Sequence, residues 1–224
     1  ATDTIRSICQ QKGVSYTPAR DEAQLLSADL RGQSFRYRDK NYEIALLGPH
    51  QVRNALVAIE IIKVLQKEGY PVTEEDIRKG LAEAKWPARF EVLTEDPLFI
   101  LDGGHNPQCA KALTRTLDQV LNGQKVWFLT GVLADKDYGQ IIDIIAGYAK
   151  GAVCVTPDNP RALPAKDYAE AMNGKGIKAL AAPSIREGID MIQKEAGNDA
   201  VIAFGSLYMA GTIRTVILSE DTSK

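Results

Sequence analysis

The 224-residue sequence is poor in the side chains that most often carry chemistry, with three cysteines (Cys9, Cys109, Cys154) and two histidines (His50, His105). The cysteines are odd in number, far apart and in no CxxC pair, which speaks against a disulfide framework and suits reduced thiols of a cytoplasmic protein. So few histidines and no cysteine pair leave no basis for a self-contained transition-metal site. No apolar run approaches the ~20 residues of a spanning helix, and the first residues lack a secretory-signal pattern, so no membrane partner is expected. Lys and Arg number 27 against 29 Asp and Glu, with no basic block and no basic–aromatic interleaving, so no nucleic-acid partner is indicated.

Several signatures are also missing. There is no GxxxxGK[ST], and Gly174-Lys175-Gly176 lacks the rest of a dinucleotide fingerprint. Asp102, His105 and Ser206 suggest a hydrolase triad, but Asp102 and His105 share one tight turn and Phe204-Gly205-Ser206-Leu207 is not a GxSxG elbow.

What is present is an ordinary globular composition, 45% hydrophobic and 25% charged, in a chain long enough for one large or two modest domains. The spacing predicts a helix over 2–12, a strand over 14–16, and a polar segment to about Gly32. Two alternating stretches, 34–38 and 42–46, flank Asp39-Lys40-Asn41 as the strands of a hairpin. Gly48-Pro49-His50-Gln51 then opens a long helix over 50–68 with Val52, Leu56, Ile59, Ile62 and Leu65 as its buried stripe. His50 and Asn54 share a face at its start, where free amides and the helix dipole favour an anion; Asn54 could equally be a packing amide. Thr73-Glu74-Glu75-Asp76 has the form of a capping box for a second helix.

Trp86-Pro87-Ala88-Arg89-Phe90 breaks the helical pattern and sets a domain boundary, with residues 1–86 before it and 87–224 after it. The first region reads as the tail of an α/β domain, and the opening at Ala1 suggests a piece of a longer chain. Beyond the boundary, a hairpin turning across 94–97 leads into apolar strands that alternate with helices, the pattern of a mostly parallel, doubly wound α/β sheet.

The most informative stretch is Phe99-Ile100-Leu101-Asp102-Gly103-Gly104-His105-Asn106-Pro107. Three apolar residues suit a strand covered on both faces, two glycines let the backbone turn and approach a ligand, and Asn106-Pro107 is an N-cap followed by a first-turn proline. Asp102 and His105 therefore fall at the carboxyl end of a parallel strand, where open α/β sheets bind ligands, although such loops also serve as plain connectors. Residues 131–137 and Gly205-Ser206 fall at equivalent strand ends, with Asp137 and Ser206 equally readable as helix caps.

Four motifs, Gly48-Pro49-His50-Gln51-Val52-Arg53-Asn54-Ala55, Trp86-Pro87-Ala88-Arg89-Phe90-Glu91, Leu101-Asp102-Gly103-Gly104-His105-Asn106-Pro107 and Phe204-Gly205-Ser206-Leu207-Tyr208, occur in the order and at the spacing of one family. Together they resemble folylpolyglutamate synthase / dihydrofolate synthase of the Mur ligase superfamily, of which this chain resembles the later half. The resemblance implies the end of a Mur ligase central, ATP-binding domain followed by a Rossmann-like C-terminal domain. It implies a reaction in which ATP phosphorylates a folate or dihydropteroate carboxylate and the amine of L-glutamate attacks the acyl phosphate. It further implies that Asn54, Arg89 and Asp102 contact ATP, that His105 and Ser206 line the glutamate site, and that Asp102 and His105 stand at the chemistry. Mg2+ ligands and the phosphate-binding loop would lie in an N-terminal domain outside this chain. Gly104 stands where the family usually has alanine, and Ala88 where glycine is common. Another Mur-type amide ligase acting on a cell-wall precursor, and a nonenzymatic nucleotide-binding module, are the alternatives.

Overall fold

The computed structural model describes residues 2–18 and 22–221. The chain divides into two compact units, the first built from residues up to Ser27 with Gln33–Ala45 and His50–Ala84, the second from Lys85 onward with the short segments Ala28–Gly32 and Leu46–Pro49.

The elements preceding Lys85 are α1 (Thr2–Gln11), β1 (Gln24–Asp29), β2 (Gly32–Tyr37), β3 (Lys40–Ile44), α2 (Pro49–Lys67) and α3 (Glu74–Ala82). The three strands form one sheet in chain order, with β2 and β3 antiparallel. Tyr37 pairs with Lys40, so the hairpin turns on Arg38-Asp39 rather than on 39–41, with Arg38 at φ 54°. Alternation decides this register: Phe35, Tyr37, Tyr42 and Ile44 all point inward, where they meet Val52, Leu56, Ile59 and Ile77. The capping box forms as its sequence requires, with Asp76 N–H donating to Thr73 Oγ1 and Thr73 N–H to the Asp76 carboxylate.

Three further expectations fail in this region. Residues 14–16 are not a strand; Val14 is exposed and Pro18 follows closely. The supposed polar segment contains β1, whose side chains are almost all exposed, so no alternation marks it. The stripe on α2 is buried at Val52, Leu56 and Ile59, but Leu65 is exposed.

The second unit contains β4 (Glu91–Glu95), β5 (Leu98–Asp102), α4 (Pro107–Leu121), β6 (Val126–Thr130), α5 (Tyr138–Ile145), β7 (Ala149–Cys154), α6 (Ala165–Gly174), β8 (Ala179–Ala181), α7 (Ile185–Ala196), β9 (Val201–Phe204) and α8 (Leu207–Asp221). The six strands lie in the order β4-β5-β9-β6-β7-β8, parallel except for the antiparallel hairpin of β4 on β5. Period-two alternation divides the strand residues between two cores. Ile100, Phe128, Ala152, Cys154, Ile202 and Phe204 pack toward α4, α5 and α6. Phe99, Leu101, Trp127, Leu129, Val153, Val201 and Ala203 pack toward α7 and α8. The fifth helix ends at Ile145 and passes through a 3-10 turn at Ala146–Tyr148 into β7. Within β7, Gly151 leaves room for the Trp127 ring, whose Cζ3 would lie 2.4 Å from a Cβ there.

Tyr42 supplies a test of the first unit. Burial, then its 2.8 Å hydrogen bond to Glu74, pushes its hydroxyl from the ordinary 10.0 up to about 12. A pKa raised by folding contributes stability that is intact below the unfolded value and lost as pH rises through the folded one. The thermal midpoint should therefore fall between pH 10 and 12, and Tyr42→Phe should flatten that fall, as circular dichroism melts across this range will show.

Candidate active site at the carboxyl edge of the sheet

Strand order and register decide which loops become neighbours. Asp102 pairs with Phe204, Phe204 with Thr130, and Thr130 with Cys154, so β5, β9, β6 and β7 end level with one another. The turns that follow are consequently adjacent. Gly205 N–H donates to the Gly104 carbonyl at 2.9 Å, joining the β5 and β9 turns. On its other side Gly205 approaches the β6 turn so closely that a Cβ would lie 2.4 Å from the Gly131 carbonyl oxygen, and its φ of +126° disfavours any other residue. The loop after β6 is held in turn by the hydrogen bonds Leu163 N–H to Val132 O and Ala134 N–H to Arg161 O, at 2.9 and 2.8 Å.

Gly103 and Gly104 are needed for room rather than for backbone freedom, since neither has positive φ. A Cβ on Gly103 would lie 2.2 Å from Leu207 Cδ2, and one on Gly104 would lie 2.5 Å from Phe204 Cε2 and 2.8 Å from Cys109 Cβ. Asn106 caps α4 by accepting from Cys109 N–H at 2.9 Å, with Pro107 in the first turn, as the sequence implies.

Asp102 ties two segments together. One carboxylate oxygen accepts Gly104 N–H at 2.7 Å, closing its own turn, and the other accepts Phe90 N–H at 3.1 Å. The Ala88 carbonyl accepts Gly103 N–H at 2.8 Å, so the segment 88–90 lies as a strap over the turn. Arg89 sits at the middle of this strap, half-buried, with Nη1 3.4 Å from the Ala88 carbonyl oxygen. Among the described residues its guanidinium makes no ion pair. Both neighbours of Arg89 have left-handed backbones, Ala88 at φ 56° and Phe90 at φ 47°, a conformation that costs roughly 1–2 kcal/mol per non-glycine residue. Glu91 anchors the strap from beneath, accepting Ala88 N–H at 2.8 Å and Arg214 Nε of α8 at 3.0 Å.

His105 is half-buried, its Nδ1 3.3 Å from the Gly103 carbonyl oxygen. Ser206 is buried and its Oγ accepts Tyr208 N–H at 3.2 Å, so it closes the start of α8. Asp137 is an N-cap, accepting Gln140 N–H at 3.0 Å. Asn54 belongs to the first unit, exposed on α2, where its Nδ2 donates to Gln51 Oε1 at 2.9 Å. The second unit thus brings together the Arg89 strap, Asp102, His105 and Ser206. Glu91 and Arg214 escaped the sequence reading as supports; Glu91 stood inside a quoted motif, but nothing in the order of residues pairs it with a helix more than a hundred positions later. Burial holds the Cys154 thiol up to about 12 and raises the Tyr168 hydroxyl too, so neither is an ionised nucleophile near neutral pH.

Against this geometry, the family pattern described as Mur ligase, glutamate ligase domain matches residues 88–207, from the strap to the start of α8. The chain belongs to the Mur ligase family. It is 34% identical over 194 residues to folylpolyglutamate synthase of Lacticaseibacillus casei, covering 84% of this chain and 44% of that protein. It is 32% identical over 186 residues to dihydrofolate synthase/folylpolyglutamate synthase of Bacillus subtilis, covering 81% and 43%. Folylpolyglutamate synthase of Thermotoga maritima superposes with a TM-score of 0.79 at 26% identity, over 98% of this chain and 52% of that one. The chain spans about half the length of the curated relatives it matches. These findings agree with the resemblance read from the four motifs and with the Rossmann-like fold expected of the Mur ligase C-terminal domain.

The two departures from the family pattern now have a physical meaning. Ala88 occupies a left-handed position that glycine adopts freely, so Ala88→Gly should stabilise the chain by about 0.5–1 kcal/mol, the relieved strain less the entropic cost of glycine. Gly104→Ala, although it restores the family's usual residue, should destabilise by about 1–3 kcal/mol, because Phe204 and Cys109 fill the space a methyl needs. Urea unfolding of the two variants checks both signs.

Proposed function

We propose that this chain is the carboxyl-terminal portion of an ATP-dependent ligase that joins L-glutamate to a folate or dihydropteroate carboxylate. The observation that carries the reading is the strap-and-turn arrangement: Arg89 is held by two left-handed neighbours over a turn that Asp102 fastens from both sides. That is a preorganised cationic group beside backbone drawn in close through Gly103 and Gly104, an arrangement suited to a polyanionic ligand. The folate relatives favour this reading over a cell-wall ligase.

In the proposed reaction the terminal phosphoryl group of ATP passes to the substrate carboxylate, giving an acyl phosphate and ADP. The glutamate amine then attacks the acyl carbon, the amide bond forms, and inorganic phosphate leaves. A carboxylate is a poor electrophile; phosphorylation gives it a leaving group, and a held amine outcompetes water. Arg89 offsets phosphate charge, with Asn54 contributing to the nucleotide site. Asp102 accepts from the nucleotide or the incoming ammonium while fixing the strap, and His105 and Ser206 line the glutamate site. Among the described residues no three His, Cys, Asp or Glu side chains gather closely enough to hold a metal ion. Mg2+ would be held by an N-terminal domain of the same polypeptide, which also brings the phosphate-binding loop. In the domain boundaries we adopt, residues 1–86 end the central domain and 87–224 form the C-terminal one. The cytoplasm is the compartment we assign, consistent with three free cysteines; no described helix is long and apolar enough to cross a membrane.

The 224-residue chain alone should release no ADP in response to folate and glutamate. In the intact enzyme, Asp102→Ala should lower kcat/KM on the order of 100-fold, the scale of a misplaced catalytic geometry. Ser206→Ala should mainly raise the KM for glutamate, by roughly fivefold for one lost hydrogen bond. Steady-state assays with dihydropteroate, tetrahydrofolate and a muramyl precursor test the whole reading, and turnover with the muramyl precursor alone would reject it.

A further inference from the structure

The strap that carries Arg89 is fastened at both ends. At one end Phe90 N–H is bonded to the Asp102 carboxylate, and at the other Ala88 N–H donates to Glu91 Oε2 at 2.8 Å. Glu91 is itself held from α8, where Arg214 Nε lies 3.0 and 3.2 Å from its two carboxylate oxygens. Among the described residues Arg214 is bonded only to Glu91, and its side chain is 41% exposed. An ion pair so exposed adds little to stability, so stability does not account for where this one sits. It closes on the carboxylate that holds the Ala88 end of the strap, and that end needs holding. Ala88 and Phe90 have left-handed backbones, at φ 56° and 47°, which non-glycine residues keep only where their surroundings fix them.

We propose that Arg214 is a positioning residue for the nucleotide: acting through Glu91, it keeps the strap in place so that the Arg89 guanidinium meets the phosphate groups. Charge points the same way. Glu91 is the acid nearest to Arg89 in sequence, and its carboxylate is engaged by Arg214 and by Ala88 N–H, which leaves Arg89 without an ion pair and open to an anionic ligand. The helix supplies a rigid support, since Ala210 and Ile213 of α8 share a buried cluster with Ala88, and Leu207 Cδ2 fills the space beside Gly103. Asp102 cannot report on this positioning by itself, because the proposed reaction also has it accept from a ligand. Arg214 stands about 10 Å along α8 from Leu207 and is assigned no ligand, so a change there reads position alone. The inference rests on the proposed ligase reading for the identity of the ligand, but its first readout is nucleotide binding rather than turnover.

The test uses Arg214→Ala, Arg214→Lys, Glu91→Ala and the double variant Glu91→Ala/Arg214→Ala in the intact enzyme. Arg214→Ala should weaken ADP binding, measured by calorimetry, and raise the KM for ATP, each on the order of tenfold, the scale of one displaced charge-assisted hydrogen bond. The KM for glutamate should stay within about twofold and the thermal midpoint within about 2 °C, because an exposed ion pair adds little stability. Arg214→Lys should recover part of the loss, since it restores the charge but not the guanidinium geometry. Adding Arg214→Ala to Glu91→Ala should bring no further loss, the coupling expected of a residue that acts through another. Exchange of the Ala88 amide hydrogen should quicken in Arg214→Ala on the order of tenfold, as the strap loosens locally. Unchanged ADP affinity, equal losses for ATP and glutamate, or additive effects in the double variant would overturn the inference. So would a fall in the thermal midpoint that accounts for the lost affinity, because the pair would then be merely structural. If ADP binding responds as expected yet the enzyme ligates no glutamate, the positioning role stands and the ligase reading falls.

Discussion

A single backbone hydrogen bond, from Gly205 N–H to the Gly104 carbonyl, holds the candidate site in register. It exists because β9 inserts between β5 and β6 and ends level with both. Without a glycine at 205 the chain could neither take the left-handed turn nor pass within contact of the Gly131 carbonyl. Other features of the edge adjoin this crossing. The strap lies on the β5 turn, the β5 turn is bonded to the β9 turn, and α8 begins where the β9 turn ends.

Asp102 then does mechanical as well as chemical service. Its two oxygens hold the turn and the strap through neutral amide donors, a geometry that positions Arg89 without neutralising it. Glu91 completes the same logic from below, using one carboxylate to fasten the strap to α8. Two carboxylates therefore set the path of the backbone that carries Arg89, and the strained backbones at Ala88 and Phe90 are tolerated because bonds on both sides determine where the strap must lie.

Much of this was legible in the residues. Asn106-Pro107, the Thr73–Asp76 box, the hairpin into β5 and the apolar strands that follow are local signals, each spanning a few positions, and the structure reproduces them. Asp102, His105 and Ser206 were found as strand-end residues because a parallel sheet gathers such loops on one edge, whereas Asn54 and Arg89 were marked by the motifs around them. What stayed hidden was tertiary. The requirement for glycine at 103 and 104 comes from Leu207, Phe204 and Cys109, not from the turn itself. The exposure of Leu65 conflicts with a periodicity that identifies apolar positions but cannot say how far along a helix its partner extends. The strand β1 was missed because an exposed strand has no alternation to show.

The place of β9 bears on how the protein is made. Among the described residues it is the last strand in chain order, yet it occupies the middle of the six-stranded sheet, with strands from earlier in the chain on both sides. Until Val201–Phe204 has been synthesised, β5 and β6 have no strand to share, and the loops after them have no common edge. Synthesis at about 5–20 residues per second leaves those strands waiting for several seconds as unpaired edges, during which non-native pairing competes. The common edge that carries the candidate active site therefore cannot be completed before β9 docks.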